Sequence, residues 1–371
     1  MSEPIVRGWC PGALRPMASG DGLVVRVRPR FARLTAAQVL GLCALADRYG
    51  DGGLELTNRA NLQIYGVAEA DHAALIEGLA GLGLLDADAA VEGRRNVLIS
   101  PFWQEDDLTV RLVAALYDAL LDLPKLPPKV GFAVDTGEAP MLARDPADFR
   151  FERSDAGLIL RADGAAKGRV VSEAQAIPAL IELAQLFNDT RTPEQRRVRD
   201  WVAELPDDWQ RATPLPSSPR IQPGEQGAFA APFGRIEVAD LVSLLTHSDA
   251  QAIRVTPWRM LLVEGNCPDA HPGLVTDPAD PLLTTSACRG APACPQGTVE
   301  TRQLARALAP HVPDLHVSGC AKGCARVTSA AVTIVGRDGL YDVVQQGCAW
   351  DAPSLSGLTA ADLSAHFKGR T

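Results

Sequence analysis

The sequence predicts an α+β protein built from two pseudo-symmetric halves. Three observations support this prediction: a segment that occurs twice, a helical pattern before each copy, and a proline-rich stretch between the copies. The chain of 371 residues is long enough for more than one domain of ordinary size. Because 46% of the residues are hydrophobic and 22% are charged, the composition is that of a globular protein with a sizeable core.

The repeated segment covers residues 54–66 and aligns without gaps on residues 253–265. The two copies share a threonine (Thr57 and Thr256), a final glycine and an alternation of aliphatic residues that is typical of strands. The copies lie far apart in the chain, whereas the units of a solenoid recur every ~20–50 residues. The repeat therefore indicates two related halves.

A short helical pattern precedes each copy. The first covers residues 35–49 and begins with a capping box, in which Thr35 and Gln38 satisfy each other's backbone N–H groups. The second covers residues 238–245 and is shorter. Each half is therefore predicted to contain a strand, a helix and a strand in that order.

The stretch between the copies contains more α/β structure, followed by a linker. Residues 105–121 have an amphipathic helical pattern, and a further helix is predicted to begin after Pro178. Five prolines between positions 206 and 223 exclude a regular helix or a central strand there. We therefore predict five segments, namely 1–80, 85–203, a linker at 204–226, 227–270 and 271–371.

Charge and hydropathy argue against two classes of protein. The formal net charge is −9 and the pI is near 5.2, whereas binding to nucleic-acid phosphates needs an excess of basic residues. No apolar run approaches the ~18 residues of a membrane-spanning helix. Residues 1–4 lack a signal-peptide pattern, so we expect a cytoplasmic protein without nucleic-acid or membrane partners.

Arginine greatly outnumbers lysine, since only five of the 36 basic residues are lysines. A composition rich in alanine and arginine is typical of GC-rich genes, and this explains the bias without reference to function. A ligand with many carboxylates would also favour arginine, because the planar guanidinium group binds carboxylates bidentately. Both explanations are compatible with the sequence.

Four of the eight cysteines lie in one short window near the C-terminus. Cys288 and Cys294 form a C-x5-C pair, and Cys320 and Cys324 form a C-x3-C pair. Four thiolates on two loops can each bind one iron of a [4Fe-4S] cube. The other four cysteines are scattered, which is typical of a reducing compartment and not of a disulfide scaffold.

A structural zinc site could use the same four cysteines. Zinc sites usually have gaps of about two to four residues between paired ligands, so the C-x5-C spacing favours a cluster. Gly290, Gly319 and Gly323 lie in the two loops and permit the backbone to approach a cluster closely.

The cysteine window resembles the cluster motif of the siroheme sulfite and nitrite reductases. Residues 318–326 read S-G-C-A-K-G-C-A-R, close to S/T-G-C-P-N-G-C-A-R in that superfamily. The resemblance covers nearly the whole chain and implies the nitrite/sulfite reductase-like fold of the α+β class. Segments 1–80 and 227–270 would be ferredoxin-like half-domains, and each would be followed by an α/β domain. The α/β domain at 85–203 would bind the tetrapyrrole, and the one at 271–371 would hold the cluster.

Polar residues on predicted strands match further motifs of these reductases. Alternation places Arg26 and Arg28 on one face of a strand. For any single arginine, a solvated position at a sheet edge is an equally good explanation. The resemblance implies tetrapyrrole binding by Arg26, Arg28, Arg59, Asn61, Gln63, Arg95, Asn96 and Lys129.

Three features depart from the reductase pattern. The second lysine of the reductases' K-x-K element is Gly131 here, and the chain is short for a full siroheme reductase. Residues 7–23 and 276–281 are instead similar to the precorrin-3B synthase family, the cobalamin-pathway branch of the superfamily. The substrate of that family, precorrin-3A, is itself a siroheme-like macrocycle with eight carboxylates. An arginine-lined site suits it as well as it suits a siroheme cofactor.

The second resemblance implies an O2-dependent monooxygenase of aerobic cobalamin biosynthesis. Such an enzyme hydroxylates precorrin-3A at C20 with formation of a γ-lactone, and is implied to use a [4Fe-4S] cluster and a mononuclear non-haem iron. Because no G-x-G-x-x-G motif follows a predicted strand, we expect an external electron donor, either an NADH-linked reductase or a ferredoxin. The alternatives are a small siroheme-dependent sulfite or nitrite reductase, and a non-catalytic iron–sulfur carrier or zinc-stapled scaffold.

No motif identifies the ligands of the mononuclear iron, and the catalytic residues are unknown. Cys267 and His271, with Asp277 and Asp280 nearby, form the most suggestive group. A lone histidine in a loop is nevertheless more often a surface residue than a ligand. Cys10 lies in the N-terminal run and could approach the site, although a buried thiol is the default expectation.

Overall fold

The computed structural model describes residues 10–369, which form nineteen strands and nine α-helices. Part of the predicted N-terminal run, residues 7–9, therefore lies outside the described residues. The strands are β1 (Met17–Ser19), β2 (Gly22–Val27), β3 (Arg33–Thr35), β4 (Gly53–Leu56), β5 (Leu62–Val67), β6 (Val97–Ile99), β7 (Phe132–Asp135), β8 (Phe149–Ser154), β9 (Gly157–Ala162), β10 (Arg169–Val170), β11 (Ala228–Ala230), β12 (Arg235–Glu237), β13 (Ala252–Val255), β14 (Met260–Glu264), β15 (Ser286–Ala287), β16 (Leu315–Ser318), β17 (Ala330–Arg337), β18 (Leu340–Gly347) and β19 (Leu355–Leu358). The helices are α1 (Ala36–Tyr49), α2 (His72–Gly81), α3 (Ala89–Arg94), α4 (Leu108–Asp118), α5 (Glu173–Thr190), α6 (Val198–Trp201), α7 (Val238–Thr246), α8 (Arg302–Leu308) and α9 (Ala360–Lys368).

Two antiparallel sheets contain the repeated segments. The first repeat sheet has the order β1-β2-β5-β4-β12, and the second repeat sheet has the order β11-β14-β13-β3. The halves exchange one strand each, because β12 of the second half pairs with β4 and β3 of the first half pairs with β13. Each repeat sheet is therefore completed by the other half of the chain.

The other two sheets have matching topologies. The first α/β sheet has the order β10-β9-β8-β7-β6, and the second α/β sheet has the order β15-β16-β17-β18-β19. In each of them three parallel strands are followed by two antiparallel strands. Helix α4 lies between β6 and β7, and α8 lies at the equivalent place between β15 and β16. This correspondence agrees with the predicted pair of pseudo-symmetric halves.

Helix α1 begins where the sequence predicts. The Gln38 backbone N–H donates to Thr35 Oγ1 at 3.3 Å, and the Thr35 N–H donates to Gln38 Oε1 at 3.0 Å. These two bonds form the predicted capping box. The helix buries an apolar stripe that includes Cys43, and burial raises the pKa of this thiol to about 12. Cys43 is therefore a core residue, as its helical spacing predicts.

Helix α5 begins earlier than predicted, at Glu173 and not after Pro178. A second capping box, formed by Ser172 and Gln175, satisfies the first backbone N–H groups and starts the helix. Pro178 lies inside the helix, where it lacks the N–H of one intrahelical hydrogen bond. The predicted start was wrong because the proline was taken to mark the beginning of the helix.

The proline-rich linker packs along the protein. Isolated bridges join Ser154 to Pro214 and Gly168 to Ala212, so the linker lies beside the first α/β sheet. The predicted segment boundaries stay predictions.

None of the helices between residues 10 and 369 is both long and apolar enough to cross a membrane.

Candidate functional site

The first repeat sheet has one polar face, on which several predicted binding residues lie. Arg26 on β2 is paired with Gln63 on β5, and Gln63 is paired with Glu55 on β4. The alternation of side chains places Asn61 and Tyr65 on the same face as Gln63. The intervening aliphatic residues of both strands point into the core.

The other predicted residues meet this face from the β4–β5 turn and the first α/β domain. Arg59 Nη2 donates to the carbonyl of Lys129 at 2.8 Å, and Asn96 Nδ2 donates to the carbonyl of Val130 at 3.1 Å. Arg95 Nη2 donates to the carbonyl of Arg28 at 2.7 Å. The structure thus brings the predicted residues together, although Lys129 contributes its backbone and its side chain is exposed.

Two of the predicted arginines already have carboxylate partners. Arg95 Nε lies 2.6 Å from Asp86 Oδ1. Arg28 is only 7% exposed, lies 3.4 Å from the Glu92 carboxylate and donates to the Pro11 carbonyl at 3.2 Å. Burial lowers the pKa of Arg28 to about 10. These two side chains hold neighbouring segments in place.

Arg26 and Arg59, by contrast, form no ion pair with any other residue between 10 and 369. Arg26 Nε and Arg59 Nη1 are buried and have no hydrogen-bond partner there, which is also true of Nε and Nη1 of the ion-paired Arg28. Burial lowers the pKa of Arg59, because the charged form is unfavourable away from water. Buried N–H groups are almost always hydrogen-bonded in native proteins, so these two guanidinium groups call for an anionic ligand or ordered water.

The second repeat sheet is apolar at the positions that correspond to these polar residues. In the first repeat sheet, Arg26 is the cross-strand partner of Gln63, and in the second repeat sheet Ala228 is the cross-strand partner of Leu262. The two pairs occupy equivalent positions in the two sheets. Arg26, Arg28, Arg59, Asn61 and Gln63 thus correspond to Ala228, Ala230, Trp258, Met260 and Leu262. These five apolar residues pack with Ile221 of the linker in one cluster. One face is therefore filled by the protein itself, whereas the other keeps unpaired polar groups.

Arginines on the second repeat sheet are also paired. Arg33 Nη2 lies 2.7 Å from the Glu264 carboxylate, and Arg254 Nε lies 2.5 Å from it. Arg254 also donates to the carbonyls of Pro101 and Trp103. The contrast with Arg26 sets the two faces apart chemically.

The predicted cluster cysteines lie on loops at the carboxyl ends of parallel strands. Cys288 follows β15 directly, and Cys320 follows β16 after Gly319. The Gly319 N–H donates to Cys288 Sγ at 3.1 Å. A Cβ on Gly319 would lie 3.0 Å from Gly290 Cα and 3.2 Å from Gly297 Cα, so glycines let the two loops pack closely.

The thiol groups influence one another. Burial raises the pKa of Cys320, a backbone hydrogen bond opposes this, and the nearby Cys288 and Cys294 raise it further. Burial also raises the pKa of Cys324, and the other three thiols act in the same direction. Within the described chain, no three His, Cys, Asp or Glu side chains converge on a single metal ion. In a cube each thiolate binds a different iron, so its four sulfurs do not share one ion.

The first cysteine loop contacts the polar face of the first repeat sheet. Arg289, next to Cys288, donates to Asp21 and Asp51 at 2.7 Å each. Its guanidinium group stacks 3.9 Å above the centre of the Tyr65 ring. The first cysteine loop and the arginine-rich face are therefore in direct contact.

Sequence reasoning missed Tyr65, Arg289 and Glu92 in this site. Tyr65 continues the alternation of Asn61 and Gln63, so the pattern itself contained that signal. No local pattern indicates that Arg289 reaches across to the other half or that Glu92 on α3 pairs with an arginine on β2.

The segment after Cys10 packs across β2. The Arg26 N–H donates to the Gly12 carbonyl at 3.1 Å, and the Leu14 N–H donates to Glu92 at 3.1 Å. This path leaves Cys10 half-buried and within electrostatic range of Arg59. The expectation of a buried thiol is therefore wrong, because the segment carries Cys10 to the edge of the polar face.

The suggested iron ligands do not form a metal site in the described part of the chain. His271 Nδ1 accepts from the Gly273 N–H at 3.3 Å. Asp277 and Asp280 each accept a backbone N–H two residues further on, at 2.8 Å. These side chains stabilise their own turns, so the group does not fit a mononuclear iron.

Comparisons with known proteins identify this architecture. Residues 15–82 match the family model of the nitrite/sulfite reductase ferredoxin-like half domain. The solved structure of the NirA protein of Mycobacterium tuberculosis matches with a TM-score of 0.62 and 20% identity, over 92% of this chain and 79% of that one. The chain has the nitrite/sulfite reductase-like fold, so the predicted fold is confirmed.

The chain is also similar over nearly its whole length to a precorrin-3B synthase. That relative, from Sinorhizobium sp, is 29% identical over 94% of this chain and 84% of its own length. A ferredoxin–nitrite reductase of Synechococcus elongatus is 24% identical over 88% of this chain and 78% of the relative. These comparisons confirm the branch that the sequence motifs predict, and both relatives are enzymes of the oxidoreductase type.

Proposed function

We propose that this chain is a precorrin-3B synthase, which uses O2 to hydroxylate precorrin-3A at C20 with γ-lactone formation in aerobic cobalamin biosynthesis. The observation that supports this most directly is the polar face with its unpaired Arg26 and Arg59, next to the cysteine loops. A macrocycle with eight carboxylates would supply the acceptors that these buried N–H groups lack.

The residues of the polar face would bind and orient this macrocycle. Arg26 and Arg59 would each bind a carboxylate arm. Asn61 and Gln63 lie on the same face and are only 6% and 9% exposed. Their amide N–H groups would donate to the ligand. Arg28 and Arg95 would hold the walls of the site through Glu92 and Asp86.

We assign Cys288, Cys294, Cys320 and Cys324 to a [4Fe-4S] cluster, which transfers single electrons when it is bound. The thiol environment supports this assignment. Burial and mutual proximity raise the pKa of Cys320 and Cys324, and a positively charged metal centre would hold these thiols deprotonated. The Gly319 N–H would offset part of the negative charge on Cys288.

An external donor, an NADH-linked reductase or a ferredoxin, would supply two electrons for each O2. One oxygen atom enters the substrate as the C20 hydroxyl, and the other leaves as water with two protons. The mononuclear non-haem iron implied by the resemblance has no fitting ligand group among residues 10–369, and no step is assigned to it. We propose a cytoplasmic enzyme without nucleic-acid or membrane partners.

The alternative is a siroheme-dependent sulfite or nitrite reductase, like the relative from Synechococcus elongatus. Position 131 argues against it. A Cβ on Gly131 would lie 2.9 Å from the Asn96 carbonyl oxygen and 3.2 Å from Arg59 Nη1. The second lysine of the reductases' K-x-K element therefore has no room in this site.

Aerobic turnover of precorrin-3A with O2 and a reductase system tests the proposal. Cys320→Ser should abolish both turnover and the visible absorbance of the cluster, whereas Cys348→Ser, outside the two cysteine pairs, should keep both. Anaerobic purification and metal analysis separate the alternatives. Bound siroheme with sulfite or nitrite reduction and no consumption of precorrin-3A would refute the proposal, and zinc on the four cysteines would refute the cluster.

A further inference from the structure

Arg259 comes from the second half and, like Arg26 and Arg59, forms no ion pair with any other residue between 10 and 369. It lies in the turn between β13 and β14 in a left-handed backbone conformation with φ of 60°. Its counterpart in the first copy is Ala60, whose φ is 53°. The turn is therefore alike in both copies, and the second copy carries a long cationic side chain where the first has a methyl group.

The Arg259 side chain crosses onto the first repeat sheet. A Cβ placed on Gly234 would lie 3.4 Å from Arg259 Cγ and Cδ, and 3.2 Å from the Leu56 carbonyl oxygen. The arginine stem thus runs past a glycine beside the end of β4. This path brings the guanidinium group towards Glu55 and Arg302, at the border of the polar face.

The charges around Arg259 are unbalanced. Burial lowers the pKa of Arg259, and nearby Arg302 lowers it further, while Glu55 has the opposite effect. Glu55 already accepts from Arg302 Nη2 at 2.7 Å, and Arg302 Nε is buried without a partner in residues 10–369. Two cations thus share one carboxylate. A buried cation without a counter-charge is strongly unfavourable, so this arrangement favours an added anion.

Arg302 also links Arg259 to the rest of the polar face. Tyr65 lies within electrostatic range of both Arg302 and Arg26. Arg59 and Arg26 on the first half and Arg259 on the second are therefore joined into one series of cations by Arg302, whose Nε has no partner in residues 10–369 although its Nη2 pairs with Glu55.

We infer that Arg259 binds a carboxylate arm of the substrate and that the two halves hold the macrocycle between them. This inference rests on the proposed function, because it takes the ligand to be a polycarboxylate tetrapyrrole. Arg259 and Arg302 bind one arm on the side of α8, while Arg26 and Arg59 bind arms on the side of the first α/β domain. Arg259 is then a specificity residue that rejects macrocycles without a carboxylate at that place.

Titration of the purified chain with uroporphyrin III, which carries eight carboxylates, tests the inference through the change in porphyrin absorbance. Arg259→Gln should weaken binding about tenfold, the loss of one charge-assisted contact. Arg259→Lys should weaken porphyrin binding by a smaller factor. Arg144 is exposed and lies away from the polar face, so Arg144→Gln should leave the affinity unchanged. The ligand-free Arg259→Gln protein should melt at the same temperature or higher, because a buried unpaired charge has been removed.

Each outcome separates the inference from the function on which it rests. If Arg26→Gln weakens binding and Arg259→Gln does not, the tetrapyrrole site stands and the inference is overturned. Weaker binding that comes with a lower melting temperature for both Arg259 variants would mean a structural role and would overturn it as well. If the unsubstituted protein binds no porphyrin, the tetrapyrrole assignment falls and the inference falls with it.

Discussion

Replacing Glu92 by glutamine tests how the N-terminal segment is held against β2. Glu92 is 4% exposed and accepts backbone N–H groups from Ala13 at 2.5 Å and Leu14 at 3.1 Å. Its carboxylate is also the only one that forms an ion pair with the buried Arg28 within residues 10–369. Gly12 is required beside it, since a Cβ there would lie 2.3 Å from Glu92 Oε2.

Glutamine keeps the shape of the side chain and removes its charge, so Arg28 is left buried without a counter-charge. Breaking a buried pair in this way costs about 3–5 kcal/mol of unfolding free energy. The matched control is Glu173→Gln, which breaks the Arg111–Glu173 pair, where the side chains are 49% and 47% exposed. An exposed pair contributes at most about 1 kcal/mol.

Urea denaturation of both variants gives the comparison. We expect a large loss for Glu92→Gln and almost none for Glu173→Gln. The double variant Arg28→Met and Glu92→Gln should recover part of the loss, because neither charge is then left buried alone. Equal, small losses for the two single variants would refute the reasoning that this pair holds the segment beside the site.

Three further predictions concern the cysteine loops, a buried histidine and the filled face. Gly319→Ala should lower the iron and sulfide content of the purified protein, because the new methyl group would lie 3.0 Å from Gly290 Cα; unchanged content would contradict this. Burial lowers the pKa of His316 in the folded protein to about 4. As the pH falls, this histidine is therefore protonated in the unfolded chain before it is protonated in the folded protein. About 3 kcal/mol of stability is lost between pH ~6.5 and 4. His316→Gln should remove that part of the pH dependence of the urea midpoint, and an unchanged slope between pH 7 and 4.5 would show that other groups cause it. Leu262→Gln should destabilise the protein by about 1–3 kcal/mol, because the new amide would be buried without hydrogen-bond partners in the apolar cluster. The matching residue of the first copy, Gln63, faces the site instead. An unchanged melting temperature would argue against a dry cluster around Leu262.

Local patterns in the sequence predicted much of this structure. The capping box of α1 and the alternation on β2 and β5 are both short-range signals with a direct physical basis. The exchange of β3 and β12 was not predicted. Each of these strands has three residues, and its pairing joins positions far apart in the chain, where no local pattern identifies the partner.

The site could be predicted in its residue types but not in its pairings. Arg26 and Arg28 have the same alternation and the same side chain, yet only Arg28 meets a carboxylate. That carboxylate belongs to Glu92, whose position on α3 follows from tertiary packing. Sequence alone therefore could not separate arginines that hold the walls from arginines that remain unpaired.

A longer alignment of the two copies contains a signal for the polar face. Their similarity extends to the segment before each helix, where Phe31 and Arg33 correspond to Phe233 and Arg235. With that longer alignment, Arg26 and Arg28 fall opposite Ala228 and Ala230. The replacement of arginine by alanine at both positions identifies, from the sequence alone, the face that keeps its charge.

The two faces also differ in how they relate stability to ligand. The face around Ile221 is closed by apolar packing and contributes to stability without a ligand. The face around Arg26 keeps buried N–H groups unpaired, and this destabilises the ligand-free fold. A ligand that pairs with them binds only the folded protein, so a concentration of 100 times its Kd would add about 2.7 kcal/mol of stability. A polycarboxylate that pairs with these arginines removes the destabilisation, and this relief contributes to its binding free energy. Because the two halves exchange strands, residues of both halves can contribute to that binding.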